Sequence, residues 1–290
     1  MAHITDRNGI IRMTGSLDEM VWRGRNAASL GNLSTYEKKD MASRKRGESR
    51  SDWSGTRTWT DAVKLATNGW SEGVKRLSNL RDELMDKIGE VLPEPAYMMD
   101  VTGFDVDVGA YLAGDPECMV STTQQPGRDR HIHIMVNVAT AHYRSPESMM
   151  MRGLMAAGVV DALEQMGHTV TLDVVILLEG HDDKDRFAQV VNVKRPSEPL
   201  DLERVVYSCA HPSMLRRLTF AVLESLDSAQ RLRMNVLSGY GRVSDEPSMF
   251  FPESEQPDLY IGNAMNADTL AEVADQVIKY LRDAGVVSDT

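Results

Sequence analysis

Cysteine is nearly absent: Cys118 and Cys209 are the only two in 290 residues, far apart and outside any CxxC spacing. A disulfide framework or a cysteine-rich zinc site needs more, so the thiols fit a reducing compartment. No apolar run approaches the roughly 18 residues that span a bilayer, and Met1–Arg7 lacks the apolar core of a signal peptide. The composition predicts a soluble, cytoplasmic protein, or one packaged inside a particle made in the cytoplasm, with no membrane partner. Basic side chains are also in deficit. The 32 Lys and Arg face 43 Asp and Glu, for a formal net charge of −11, so the chain as a whole has no general attraction for phosphate backbones. The 42% hydrophobic content is that of an ordinary globular chain.

Catalytic signatures are missing as well. There is no GxxxxGK[ST] phosphate loop, no GxGxxG between a strand and a helix, no HExxH and no GxSxG elbow. Gly239-Tyr240-Gly241 reads as a turn. No cofactor is implied by any motif, and the expectation is a protein that is not an enzyme.

What is present begins with an uneven charge distribution. Residues 1–50 hold ten basic and six acidic side chains, net +4, and the remainder is net −15. Lys38, Lys39, Arg44, Lys45 and Arg46 concentrate the excess in a segment almost without large apolar residues, which cannot offset its ordering entropy by burial. Residues 1–50 are therefore predicted to be a flexible basic segment: a solvated linker, or a contact arm for nucleic acid or an acidic partner through residues 38–50.

A helical hairpin is predicted over 51–98. Ala62, Leu65 and Ala66 follow Thr60 as N-cap and stop at Asn68-Gly69. Val74, Leu77, Leu80, Leu84 and Ile88 line one face of a second helix over 71–91. Trp53, Trp59 and Trp70 are expected to lock the two helices together. Residues 99–129 read as a connecting segment.

From Arg130 onward strands and helices alternate. His131–Ala139 is a strand, Pro146–Met166 a helix carrying Met151, Met155 and Met166 toward the core, and Thr169–Leu178 a second strand. A crossover of this length implies parallel strands. Arg186–Lys194 returns across a short acidic loop as an antiparallel edge strand. Arg204–Cys209 reads as a strand, His211–Asp227 as a helix, and Asp258–Gly262 with Asp268–Ala284 as a last strand and helix. The fold class is α/β: a three-layer, Rossmann-like sheet over 130–290, preceded by a helical region.

The order of elements over roughly 130–288 resembles the von Willebrand factor A-like fold. That family's metal site usually opens Asp-x-Ser-x-Ser at the end of the first strand, and Asn137, Ala139 and Ala141 stand at those positions. Two alanines offer a hard cation no oxygen ligand, so the resemblance carries no metal binding. Arg152-Gly153, the Asp161–His168 run, Ala210–Phe220 and Gly69–Gly73 together resemble uncharacterised proteins common in tailed-phage genomes. That likeness implies a phage-encoded protein in the host cytoplasm or associated with the virion.

Ligand sites in such sheets lie at strand C-terminal ends. This places the candidate crevice in the loops Asn137–His142, Glu179–Asp185, Ser208–Ser213 and Gly262–Asn266, with Asn137, His142, His181, Asp182 and His211 as its polar members. His131 and His133 alternate along one strand face, a chelating geometry at the wrong end of the strand. Cys209 with His211 has no orienting third group. Arg216 and Arg217 are expected to hold a salt bridge, to Glu224 or another element. Met149 and Met150 are candidates for an exposed partner surface. The first expectation is a non-enzymatic interaction or self-assembly protein on a von Willebrand A-like domain that has lost its metal site. The alternatives are a nucleic-acid-binding accessory protein using the 38–50 arm, and a metal-assisted hydrolase.

Overall fold

A computed structural model of the chain describes residues 3–45, 52–78, 97–103, 105–122, 130–165, 167–182, 184–236, 238–262, 275 and 279. The first surprise is at the N-terminus. β1 (His3–Arg7) and β2 (Ile10–Ser16) form an antiparallel hairpin around Asn8 and Gly9, both with positive φ (53° and 82°). An Asn-Gly pair adopts this turn, whose twist matches that of the flanking strands. β2 alternates, with Ile11 and Met13 buried, and Ser16 ends it by capping α1 (Leu17–Arg25) in a reciprocal box with Glu19. Two short helices, α2 (Ala27–Leu30) and α3 (Thr35–Asp40), follow. Residues 3–45 are thus built into the fold, which corrects the prediction of a flexible basic segment over 1–50.

α4 (Trp59–Asn68) is capped by Thr58 boxed with Asp61, two residues before the expected Thr60, and ends at Gly69 with φ 85°. Residues 71–78 are helical; the rest of the second predicted helix lies outside the described residues. The connecting segment is also structured. β3 (Tyr97–Asp100), β4 (Asp105–Val106) and β5 (Met119–Thr122) make a small antiparallel sheet in the order β3-β5-β4, and α5 (Val108–Ala113) lies between β4 and β5.

The main sheet has seven strands. β6 (His131–Asn137), α6 (Pro146–Gln165) and β7 (Thr169–Glu179) are the expected crossover unit, with β6 and β7 parallel. β8 (Arg186–Lys194) returns antiparallel to β7 but is not an edge: β2 runs parallel along its other side, Ile10 opposite Arg186 through Ser16 opposite Asn192. Two further strands, β9 (Arg242–Val243) and β10 (Leu259–Ile261), complete the order β1-β2-β8-β7-β6-β10, with β9 on the free end of β7. Both faces are covered, so β7 is a nearly continuous apolar run. Leu172, Val174 and Ile176 pack under the helices with Ile132 and Ile134. Val175, Leu177 and Met135 meet Phe250 and Phe251 on the other face. The result is a layered α/β fold with the sheet in the middle.

The run Leu202–Ala210 forms α7, capped by Asp201, where the sequence predicts a strand. Val205, Val206 and Cys209 are β-branched or small, but they are buried against α6 at helical spacing. Gly153 permits that contact, since a Cβ there would stand 2.2 Å from the Cα of Ala210. The following helix contains a π segment (Met214–Thr219), continues as α8 (Phe220–Glu224) and stops short of Asp227, which instead caps α9 (Ser228–Arg233). In α6, Met149 and Met155 are buried while Met151 is exposed, the reverse of what was expected for 149 and 151. Met166 and the expected helix Asp268–Ala284, apart from positions 275 and 279, lie outside the described residues. Among the described residues no helix is long and apolar enough to cross a membrane.

Candidate functional site

β6 is shorter than β7 at the C-terminal end: it stops at Asn137, opposite Val175, while β7 runs on to Glu179. The unpaired end of β7 takes up β9, with Arg242 opposite Glu179, and Ser244 N donates to Leu177 O at 3.0 Å. Residues 242–245 are thereby brought over the end of β6. The Asn137 amide nitrogen donates to Ser244 O at 2.8 Å, to Tyr260 Oη at 3.0 Å and, more weakly, to Asp245 Oδ1 at 3.3 Å. Its oxygen accepts from Ala139 N at 3.1 Å. The Tyr260 hydroxyl donates to Asp245 Oδ1 at 2.9 Å. Burial raises the Tyr260 pKa and the Asp245 charge raises it further, so the phenol stays a donor at neutral pH. Burial lowers the pKa of the nearby Arg152, and the Asp245 carboxylate counters that effect. A Cβ at Gly262 would lie 2.6 Å from Asp245 Oδ1, so a side chain there would displace this carboxylate.

Beside this network opens a cavity of about 620 Å3, with Asp245 on its wall. One side is aromatic. Phe220 stacks on Tyr240 with centroids 4.0 Å apart, and Trp53 lies 6.0 Å from Phe220. The Arg216 guanidinium sits over Trp53, 4.6 Å from the ring centre. It donates to Trp53 O and, at 2.7 Å, to Arg144 O, and burial brings its pKa down to about 10, which leaves it charged. With Trp53 Nε1 donating to His142 O at 3.2 Å, the 142–144 loop is held by its backbone. Its side chains project outward: Tyr143 is 74% exposed, and His142 and Arg144 are exposed beside it. Arg242 is on the rim, 3.6 Å from Glu179. Three guanidinium groups and one carboxylate therefore line a concavity in a chain of net charge −11.

Of the five predicted crevice residues, two belong to this place: His142 lines the cavity and Asn137 anchors the network beside it. His181 and Asp182 are exposed on the β7–β8 loop. That loop docks elsewhere, through His181 N to Arg233 O at 2.8 Å and Arg233 Nε to Asp185 Oδ1 at 2.6 Å. His211 lies between helices rather than at a strand end, because Arg204–Cys209 is helical. It is stacked on Tyr207 and edge-on to Trp70. Its Nδ1 meets Ser213 Oγ at 2.8 Å, and burial, with Arg76, holds its pKa at about 4. Cys209 is buried with its thiol pushed up to about 12. The pair is a neutral imidazole and an un-ionised thiol, unsuited to nucleophilic attack. His131 and His133 do share a face, bonded to Thr171 Oγ1 at 2.7 Å and Asp173 Oδ2 at 3.0 Å. Among the described residues no three His, Cys, Asp or Glu side chains are grouped to hold a metal.

The basic segment is divided. Lys38 and Lys39 lie in α3, while Arg44 stacks on Trp59, 3.8 Å from the ring centre, and donates to Gly24 O. Lys45 makes a 3.7 Å contact with Asp40, and Arg46 lies outside the described residues. Arg217 bridges the segment to the core, donating to Ser43 O and Lys45 O (2.8 Å each), Thr56 O (2.9 Å) and Arg57 O (3.3 Å). Arg216 and Arg217 thus both hold backbone carbonyls of other elements. Glu224 instead accepts from Ser43 Oγ, Ser43 N and the Tyr240 hydroxyl.

Trp53, Tyr240, Asp245 and Tyr260 were not singled out for this site by sequence. Only Gly239-Tyr240-Gly241 carried a signal: a turn with Tyr240 at φ 59° and Gly241 at φ 80° sets the phenol against Phe220. Fold and site together define the class, a layered α/β domain whose polar crevice lies where the chain turns from β7 on one side of β6 to β10 on the other. The chain belongs to the DUF7192 family, a domain of unknown function, whose family model matches residues 12–288. No curated protein and no solved structure matches it.

Proposed function

We propose that this chain is a non-enzymatic interaction protein, a von Willebrand A-like domain without its metal site, whose crevice receives an acidic group of a protein partner. The observation that carries the reading is the cavity beside Asn137. Arg144 and Arg242 reach its rim, Trp53, Phe220 and Tyr240 form its wall, and the Arg216 guanidinium is occupied by backbone carbonyls. Arginine with aromatic side chains is the usual composition of a protein-binding hot spot. The likeness to the A-like fold is supported by the order β8-β7-β6-β10, with β8 antiparallel and the others parallel. At the lost metal positions, Asn137 is bonded to Ser244, Tyr260 and Asp245, and Ala139 is fully buried. The resemblance to tailed-phage proteins supports a role in assembly.

The test is fluorescence anisotropy with a labelled Glu/Tyr-rich peptide. Wild-type protein should bind it, and Arg144→Glu with Arg242→Glu should weaken binding at least about tenfold, since each rim charge chiefly sets electrostatic complementarity. Equal binding by both proteins, or a thermal shift given by Mg2+ or a nucleotide in place of the peptide, would overturn the reading.

A further inference from the structure

The segment 97–122 departs from the rest of the molecule in two independent ways. Of the twelve large hydrophobic side chains exposed among the described residues, six lie here: Met99, Val101, Val106, Val108, Tyr111 and Leu112. The helix α5 has no buried residue at all. Val108, Tyr111 and Leu112 sit at i, i+3 and i+4, so they form one face of α5, at 63%, 65% and 79% exposure. Val101 (60%), just past the end of β3, and Val106 in β4 are exposed as well. Scattered exposed apolar residues need no explanation, but a concentration of this kind marks a contact surface.

The second departure is charge. Residues 97–122 contain Asp100, Asp105, Asp107, Asp115 and Glu117 and no Lys or Arg. Asp100, Asp105, Asp107 and Asp115 each accept a backbone N–H within their own turn, at 2.6–3.0 Å. Four of the five carboxylates are thereby held against the backbone of the same segment that carries the apolar face.

We propose that α5 and the small sheet β3-β5-β4 dock a basic amphipathic helix of a partner protein. An apolar helix face one and a half turns long suits another helix, laid with its i, i+3, i+4 side chains on Val108, Tyr111 and Leu112. Five negative charges and no positive one in the same segment select Lys and Arg on that helix's flanks and reject acidic ones. The proposal rests on the reading of the chain as an interaction protein but uses a separate surface and a partner of opposite charge. The crevice takes an acidic group and this face a basic one.

The probe is a labelled 18-residue Leu/Lys amphipathic peptide, titrated against the full chain at two salt concentrations. A Leu/Glu peptide of the same apolar pattern serves as the charge control. The Leu/Lys peptide should bind, more weakly at high salt, and the Leu/Glu peptide should not. Tyr111→Ser with Leu112→Ser should weaken binding at least about tenfold, as loss of two apolar anchors requires. Asp100→Asn, Asp105→Asn and Glu117→Gln together should remove most of the salt dependence while keeping the turn hydrogen bonds. Arg144→Glu with Arg242→Glu should leave Leu/Lys binding unchanged. A crevice that ignores the acidic peptide while this face binds Leu/Lys would sink the crevice reading alone. Three results would overturn the present one: equal affinity for both peptides, Leu/Lys binding that survives the Ser pair, or a dimer in sedimentation that the Ser pair dissociates, which would make a second copy the occupant.

Discussion

Residues 3–45 and residues 97–122 both precede the crossover unit, and each carries a net charge, positive in the first and negative in the second, yet the chain treats them oppositely. The N-terminal stretch is drawn in. Its β2 pairs with β8 along seven residues, Arg23 donates to Ser225 Oγ at 2.6 Å, and the Ser43 and Lys45 carbonyls are held by Arg217. The later stretch folds on its own strands and presents Val101, Val106, Val108, Tyr111 and Leu112 to solvent. Charge composition therefore does not decide which segment is exposed. What decides is where the backbone donors and acceptors find partners, and whether the apolar residues fall on a face that another element covers.

The largest effect should come from Arg217. Arg217→Met leaves the carbonyls of Ser43, Lys45, Thr56 and Arg57 without their shared donor in a buried place. The loss should be about 3–5 kcal/mol, in line with breaking a buried, hydrogen-bonded charge. Urea titration should show the midpoint fall with the slope unchanged; a loss under about 1 kcal/mol would mean that the N-terminal stretch is held by its strand pairing alone. Next is the contact of α1 with α4. A Cβ at Gly24 would lie 2.4 Å from Trp59 Cη2 and 3.2 Å from Ala221 Cβ, so Gly24→Val should cost about 1–3 kcal/mol by overpacking. The corresponding change in exposed α5, Gly109→Ala, should not destabilise and should instead stabilise by up to about 1 kcal/mol, because alanine is the better helix former.

A smaller effect separates the two regions by pH. Burial raises the Glu224 carboxyl pKa more than its bonds to Ser43 and Tyr240 and the charge of Arg44 lower it. A folded value above the unfolded one means that the fold favours the protonated form. That contribution is complete below the ordinary glutamate range and is lost as pH rises through the raised folded value. Glu224→Gln should remove this decline, which urea midpoints measured upward from pH 4.5 will display. An unchanged decline in the variant would assign it to another group.

How much of this was legible depended on periodicity. The crossover β6–α6–β7 and the return of β8 could be read because each is a long apolar run or stripe bounded by turn residues. α7 was misread because Val205 and Val206 favour strands, and burial against Gly153 overrides that preference. The N-terminal hairpin had a readable signal in Asn8-Gly9 between alternating residues, but it was masked by the basic composition of the first fifty residues. At the site, Asn137 and His142 followed from the rule that crevices lie at strand C-terminal ends. Trp53, Asp245 and Tyr260 come from segments 84 to 123 residues away from Asn137, and only the tertiary fold brings them there.

The weakest perturbation is the sharpest test of the comparison. Leu112 is 79% exposed, so Leu112→Ser removes an isobutyl group that water already surrounds. Its stability change should lie within about 0.5 kcal/mol, the usual range for surface sites. Such a change would leave the midpoint in urea where it is while the Leu/Lys peptide loses affinity, because an exposed apolar side chain contributes only when a partner covers it. A loss above about 1.5 kcal/mol, half or more of a buried leucine, would place Leu112 in packing that the folded chain already uses. In that case residues 97–122 would be held to the core as firmly as residues 3–45, and the contrast between the two regions would fail.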